Sequence, residues 1–211
     1  MCEQEYILEN YTLKEIYSHV FNTYEELCSY LTIINEDDKV HILEFASGTL
    51  TSGDKVNGRR FCDNIGTNTG YLYHSHPVFA RSYPSVEDIM KLIKHPKSFK
   101  VSIIATRWGI YTVKNTDVSL AQNKVISQKV KNEYEEKIDK ATNKIGILEN
   151  KKGFVSDKYL TPADFKGDFM SKYYKVRLTD KEIEYIRFQL EKIEKHTLMK
   201  LSFCPWSELR V

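Results

Sequence analysis

The sequence predicts an α/β protein, a mixed β-sheet sandwiched by helices with a helix-rich C-terminal extension. Stretches of apolar alternation with period two are interleaved with stretches at helical spacing. The run Val101-Ser102-Ile103-Ile104-Ala105 is too continuously apolar for an edge strand and reads as the centre of a sheet. Capping boxes of the form Ser/Thr-x-x-Asp/Glu at Thr12, Thr23, Ser85 and Thr179 each mark the start of a helix. With 211 residues the chain can bury one substantial core, or one domain with a large appendage.

In chain order, Thr12-Leu13-Lys14-Glu15 opens a helix over Leu13 to Phe21, with Leu13, Ile16, Tyr17 and Val20 on its apolar side. Thr23-Tyr24-Glu25-Glu26 opens a second helix over Tyr24 to Leu31. After the polar turn Asn35–Asp38, Lys39 to Leu50 alternates as a strand, with Val40, Ile42, Glu44 and Ala46 on one face and His41, Leu43 and Phe45 on the other. Ser52-Gly53-Asp54 reads as a hairpin turn returning through Lys55 to Phe61, and Asp63 to Gly70 as a polar loop leading into a further strand.

That strand carries the sequence's main chemical signal, Tyr71-Leu72-Tyr73-His74-Ser75-His76-Pro77. Side chains two residues apart on a strand point the same way, so His74 and His76 can offer two imidazole nitrogens to one ion. Pro77 cannot donate to a ladder and ends the strand. Pro84-Ser85 then opens a helix from Val86 to His95, and Asp88 lies in its first turn. Two histidines and one carboxylate make three ligands, the number a catalytic zinc takes while keeping its fourth position for water. His95 is most simply a cation at the negative end of that helix, not a ligand.

Lys100 to Thr106 and Ile110 to Lys114 form a hairpin around Arg107-Trp108-Gly109. From Leu120 to Leu148, apolar residues at Ile126, Val130, Tyr134, Ile138, Ala141, Ile145 and Leu148 trace one face of a long helix. That helix packs within its own chain or meets a partner, so oligomerisation or a protein partner through the C-terminal helices is one expectation. Residues 149–177 are loop-like and rich in aromatic side chains. Thr179-Asp180-Lys181-Glu182 opens another helix, with Ile183, Ile186, Leu190 and Ile193 aligned, and Leu198 to Phe203 alternates as a strand that finishes a sheet.

The combination of His74-Ser75-His76-Pro77 with Ser85-Val86-Glu87-Asp88 resembles the signature of the JAMM (MPN+) metalloprotease family: a Glu upstream, His-Ser/Thr-His, then Ser-x-x-Asp. The eight residues Pro77 to Pro84 are one more than the family's usual spacing. The resemblance covers roughly Leu13 to Val118. It implies a metalloprotease domain over residues 1–118, with 119–211 a helical extension packed on it or completing it. It also implies Zn2+ held by His74, His76 and Asp88, with Ser85 stabilising an oxyanion. The family's upstream Glu is matched by Glu44 in Glu44-Phe45-Ala46-Ser47-Gly48, which would make Glu44 the general base, with Glu36 as the next candidate. The bland alternatives are an exposed strand glutamate for Glu44 and a plain N-cap for Ser85.

Composition narrows the function classes. A formal net charge of +2 advertises neither nucleic acid nor an anionic membrane as partner. No apolar run approaches membrane-spanning length, and the acidic start Met1–Glu5 has no signal-peptide core, so a cytoplasmic protein is expected. Cys2, Cys28, Cys62 and Cys204 include no C-x-x-C pair and are expected as reduced thiols. The leading expectation is a zinc metallopeptidase or isopeptidase acting on a polypeptide, with a ubiquitin-like protein tail or a precursor as candidate substrates. A non-catalytic MPN-like scaffold is the alternative, and a metal-dependent hydrolase of another amide is a third.

Overall fold

In a computed structural model the described residues are 6–23, 26–36, 41–46, 51–52, 54–56, 59–61, 70–78, 80–96, 99–116, 126–152 and 177–209. The fold is mixed α/β. Strands β1 (Tyr6–Leu8), β2 (Leu27–Glu36), β3 (His41–Phe45), β7 (Gly70–Ser75), β8 (Phe99–Thr106), β9 (Gly109–Asn115) and β10 (Met199–Pro205) lie in the order β1-β3-β2-β7-β8-β9-β10. The short β4 (Thr51–Ser52) also pairs with β2, while β5 (Asp54–Val56) and β6 (Arg59–Phe61) form a separate hairpin. Pairs β1/β3 and β7/β8 are parallel and the other pairs are antiparallel, so the sheet is mixed.

Among the described residues four α-helices cover the sheet: α1 (Asn10–Asn22), α2 (Val86–Lys94), α3 (Gln128–Lys151) and α4 (Asp180–His196). Helix α1 buries Leu13, Ile16, Val20 and Phe21 against Leu31, Leu43, Tyr73 and Ile103 on one face. On the other face α2, α3 and α4 pack Ile89, Ile145, Ile186 and Leu190 over Leu72, Ile104, Tyr111 and Phe203. The alternation of strand side chains sends Leu72 to one core and Tyr73 to the other. Residues 128–151 and 180–205 thus share a core and a sheet with residues 70–115, and β10 pairs with β9 from Met199↔Asn115 to Pro205↔Gly109. A side chain at Gly109 would run into the Cys204 carbonyl, so this tight turn requires glycine.

Most elements fall within a few residues of their expected bounds, with one change of kind. The helix expected over Tyr24 to Leu31 is strand β2 instead. Its Leu27-Cys28-Ser29-Tyr30-Leu31-Thr32-Ile33-Ile34 is rich in β-branched and aromatic residues. Pairing with β3 on one side and β7 on the other outweighs the local capping signal. The chain also reverses between Val56 and Arg59, later than the turn expected at Ser52–Asp54, whose Gly53 lies outside the described residues. The aromatic stretch 153–176 lies outside them as well. No helix among the described residues is long and apolar enough to cross a membrane.

Candidate metal centre

The β7–α2–β8 unit builds the site. Strands β7 and β8 run parallel, with His74↔Ile104 and Ser75↔Ala105 paired, and α2 makes the crossover. His74 lies one residue before the strand's end, and the His76 N–H donates to the Ala105 carbonyl at 2.7 Å, so the ladder reaches His76 before Pro77, which has no N–H to donate, ends it. The site therefore sits beyond the carboxyl end of a parallel strand, beside the start of the next helix. That is where open α/β sheets place ligands.

Helix α2 begins at Ser85, whose Oγ accepts from the Asp88 N–H at 3.1 Å while the Asp88 carboxylate accepts from the Ser85 N–H at 2.7 Å. This reciprocal cap fixes Asp88 in front of the histidines. Its Oδ1 lies 3.2 Å from His74 Nε2 and its Oδ2 lies 3.3 Å from His76 Nε2. One ligand atom from each of the three residues lies within 4.8 Å of the others, the only such group among the described residues. Both histidines are nearly closed to solvent, at 4% and 3% exposure.

The donor set fits a divalent metal. His74 Nε2 is buried with Asp88 Oδ1 3.2 Å away, so an imidazole nitrogen and a carboxylate oxygen converge out of solvent as the ligands of one ion do. His76 Nδ1 lies 3.1 Å from the Arg81 carbonyl, which can only accept, so Nδ1 carries the proton and Nε2 keeps its lone pair for the site. Two neutral imidazoles and a carboxylate are an N,N,O donor set that divalent transition metals take.

Without an ion the same groups hold each other electrostatically. Burial works against the Asp88 carboxylate, but the charge and hydrogen bonds of His74 and His76 prevail and hold its pKa well below the usual range. Burial also works against charging His76, and the Asp88 hydrogen bond and charge, with help from Glu26, raise its pKa nonetheless.

Glu26 is a further candidate beside the group, one that sequence reasoning missed. Strand β2 pairs antiparallel with β7 through Cys28↔His74, and the Leu27 N–H donates to Ser75 Oγ at 3.1 Å. Continuing that register by two residues from Cys28↔His74 sets Glu26 opposite His76, on the face that carries both histidines. Burial raises its pKa, while the nearby His76 and His74 pull it down. The available signal was the β-rich composition of Leu27 to Ile34, which makes Glu26 the residue entering a strand.

Glu44, expected as the general base, does not join this group. It is exposed on β3, which is separated from β7 by β2, and pairs with Thr32, four residues along β2 from Cys28. Two strand spacings of ~4.8 Å and four residues of ~3.3 Å set it roughly 16 Å from His74. Glu36 lies at the far end of β2, paired with His41. His95 caps the C-terminus of α2 and stacks edge-on with Phe99, away from the three ligands.

Cys28 and Cys204 are both disulfide-bonded, so the expected reduced thiols are not present at these two positions. Cysteine pairing depends on contacts between distant segments, which spacing along the chain does not reveal. The bond also removes Cys28, the neighbour of His74 across the ladder, from the set of thiolate ligands.

A scan against protein-family models found no match, and no curated protein matches the sequence.

Proposed function

We propose that the protein is a zinc-dependent peptidase or isopeptidase of JAMM type, with a polypeptide end as substrate. The observation that carries this is the convergence of the buried His74 Nε2 and His76 Nε2 on the Asp88 carboxylate. The resemblance of His74-Ser75-His76 and Ser85-x-x-Asp88 to the JAMM signature supports the same conclusion.

A zinc ion held by His74, His76 and Asp88 would supply Lewis acidity and a water acidified towards neutral pH. Glu26 does the proton work: its half-buried carboxylate takes a proton at its oxygen from the attacking water and delivers it to the leaving nitrogen. Ser85 Oγ already accepts from the Asp88 N–H, so its hydroxyl hydrogen is directed to an outside acceptor, the oxygen of the scissile carbonyl. Asp88, held by the cap, keeps both imidazoles aligned. A ubiquitin-like protein tail or a precursor, offering an extended and flexible end, suits this chemistry.

The test is cleavage of linear peptides and of lysine-linked isopeptides by zinc-loaded wild type and Glu26→Gln. Cleavage by the wild type and none by the variant, with zinc bound in both, is the expected result. Zinc bound by both without cleavage of any amide would instead favour a metal-bearing interaction module.

A further inference from the structure

We infer that the buried ion pair Arg107–Glu149 is a clasp that positions His76 as a ligand, making helix α3 a structural part of the metal centre. The inference rests on His76 being a metal ligand and adds what holds it there. The segment between His76 and Ser85 is longer than the signature it resembles, and the ring of His76 depends on it through the Arg81 carbonyl at 3.1 Å.

Arg107, in the β8–β9 turn, donates from Nη1 to the Val78 carbonyl at 2.7 Å and from Nη2 to Glu149 Oε1. The same Glu149 oxygen accepts from the Ser82 N–H at 2.7 Å. One ion pair thus grips the loop on both sides of Arg81. The loop's residues have backbone ties of their own, Val78 N–H to the Val20 carbonyl and Ala80 N–H to the Pro77 carbonyl, but those lie before Arg81. After it, Glu149 supplies the hold.

A second contact points the same way. Gly146 stands one helical turn before Glu149, and a Cβ there would lie 2.6 Å from Tyr83 Oη, so the α3 backbone abuts the loop directly. Both charges are nearly closed to solvent, Arg107 at 6% and Glu149 at 1% exposure. Buried ion pairs are poor sources of net stability but strict about geometry, which suits a positioning role better than a stabilising one.

The experiment compares wild type with Glu149→Ala, Glu149→Gln and Arg107→Lys, and with Leu190→Ala as a control that weakens the core away from the loop. Two readouts are taken: the affinity for Co2+ alone, followed by its visible spectrum, and the His76 tautomer in metal-free protein by nitrogen-15 NMR at alkaline pH. The wild type should show a single tautomer protonated at Nδ1. Glu149→Ala should bind Co2+ about 10- to 100-fold more weakly, the range typical for loss of a partner behind a ligand, and should show mixed tautomers. Glu149→Gln, which keeps an acceptor for the Ser82 N–H, should recover most of that loss.

Should Glu149→Ala fail to fold, Arg107→Lys decides, because a single ammonium cannot serve Val78 and Glu149 in the same fork geometry and should still weaken Co2+ binding about tenfold. Unchanged affinity and tautomer in the variants would overturn the clasp, as would an equal loss of affinity in Leu190→Ala. A wild type that binds no Co2+ yet loses its pure tautomer in Glu149→Ala would refute the metal centre and leave the clasp standing.

Discussion

Ser85 and Asp88 cap each other, the Ser85 N–H donating to Asp88 Oδ2 at 2.7 Å and the Asp88 N–H to Ser85 Oγ at 3.1 Å. The same four residues thus start a helix and present a carboxylate to the two histidines. Ser85→Ala should cost about 1 kcal/mol from the lost cap, read as a lowered Tm, and leave zinc bound. If its hydroxyl also serves the scissile carbonyl oxygen, turnover should fall on the order of 10²- to 10³-fold, far more than the cap alone explains. A fall no larger than the stability change would reduce Ser85 to a cap.

Glu26 and Glu44 make opposite predictions. Glu26→Gln should lower turnover on the order of 10²- to 10⁴-fold while the zinc content is unchanged, since a general base is removed and no ligand is touched. Glu44→Gln, altering an exposed carboxylate two strands away, should leave turnover within about twofold of wild type. Steady-state rates of both variants on one substrate decide which carboxylate moves the proton.

Metal-free and zinc-loaded protein should respond to pH with opposite sign. In the metal-free protein the raised pKa of His76 contributes stability below the unfolded value near 6.5, which is lost as pH rises through the folded value. The depressed pKa of Asp88 contributes stability above about 3.9, which is lost as pH falls through its folded value. Together they favour the mildly acid window between those two limits. Zinc requires neutral imidazoles, so its binding strengthens as pH rises through the raised folded-state value of His76. Melting curves across this range with a chelator and with zinc should therefore diverge as the pH increases.

His19 should limit stability in acid by a separate route. It is buried in the last turn of α1 with Nδ1 3.1 Å from the Tyr73 hydroxyl, and burial lowers its pKa to about 4. The unfolded state, titrating near 6.5, therefore takes up the proton first as pH falls, and stability drops progressively between 6.5 and about 4. Allowing for partial screening by solvent, the loss should be about 2 kcal/mol. His19→Gln, which retains an acceptor for Tyr73, should flatten that part of the denaturation profile.

Gly146→Ala tests whether α3 presses on the metal loop. The added methyl would meet the Tyr83 hydroxyl at 2.6 Å, and a displacement of that ring should cost about 1–3 kcal/mol by overpacking. Denaturant midpoints give the cost. A neutral or stabilising substitution, as helix propensity alone would predict, would mean the loop gives way freely.

The grouping of His74, His76 and Asp88 was legible because its geometry is local. Strand alternation brings His74 and His76 to one face, and the Ser85-x-x-Asp88 cap is written in four consecutive residues. Glu26 was hidden by another local pattern, Thr23-x-x-Glu26, which imitates a helix start. What makes Leu27 to Glu36 a strand is its pairing with Leu43 and Phe45 of β3 and with Leu72 to His74 of β7, partners distant in sequence. Glu44 was attractive for the converse reason: Glu44-Phe45-Ala46-Ser47-Gly48 matches a motif, but β2 intervenes between its strand and the histidines. The Arg107–Glu149 clasp joins residues 42 apart and has no signature in either segment.

The most direct test of the metal centre is elemental analysis of zinc in purified wild type and in His74→Ala, without added metal. The account predicts near-stoichiometric zinc in the wild type and its loss in a folded variant. No zinc in the wild type, even after metal is supplied, would contradict it.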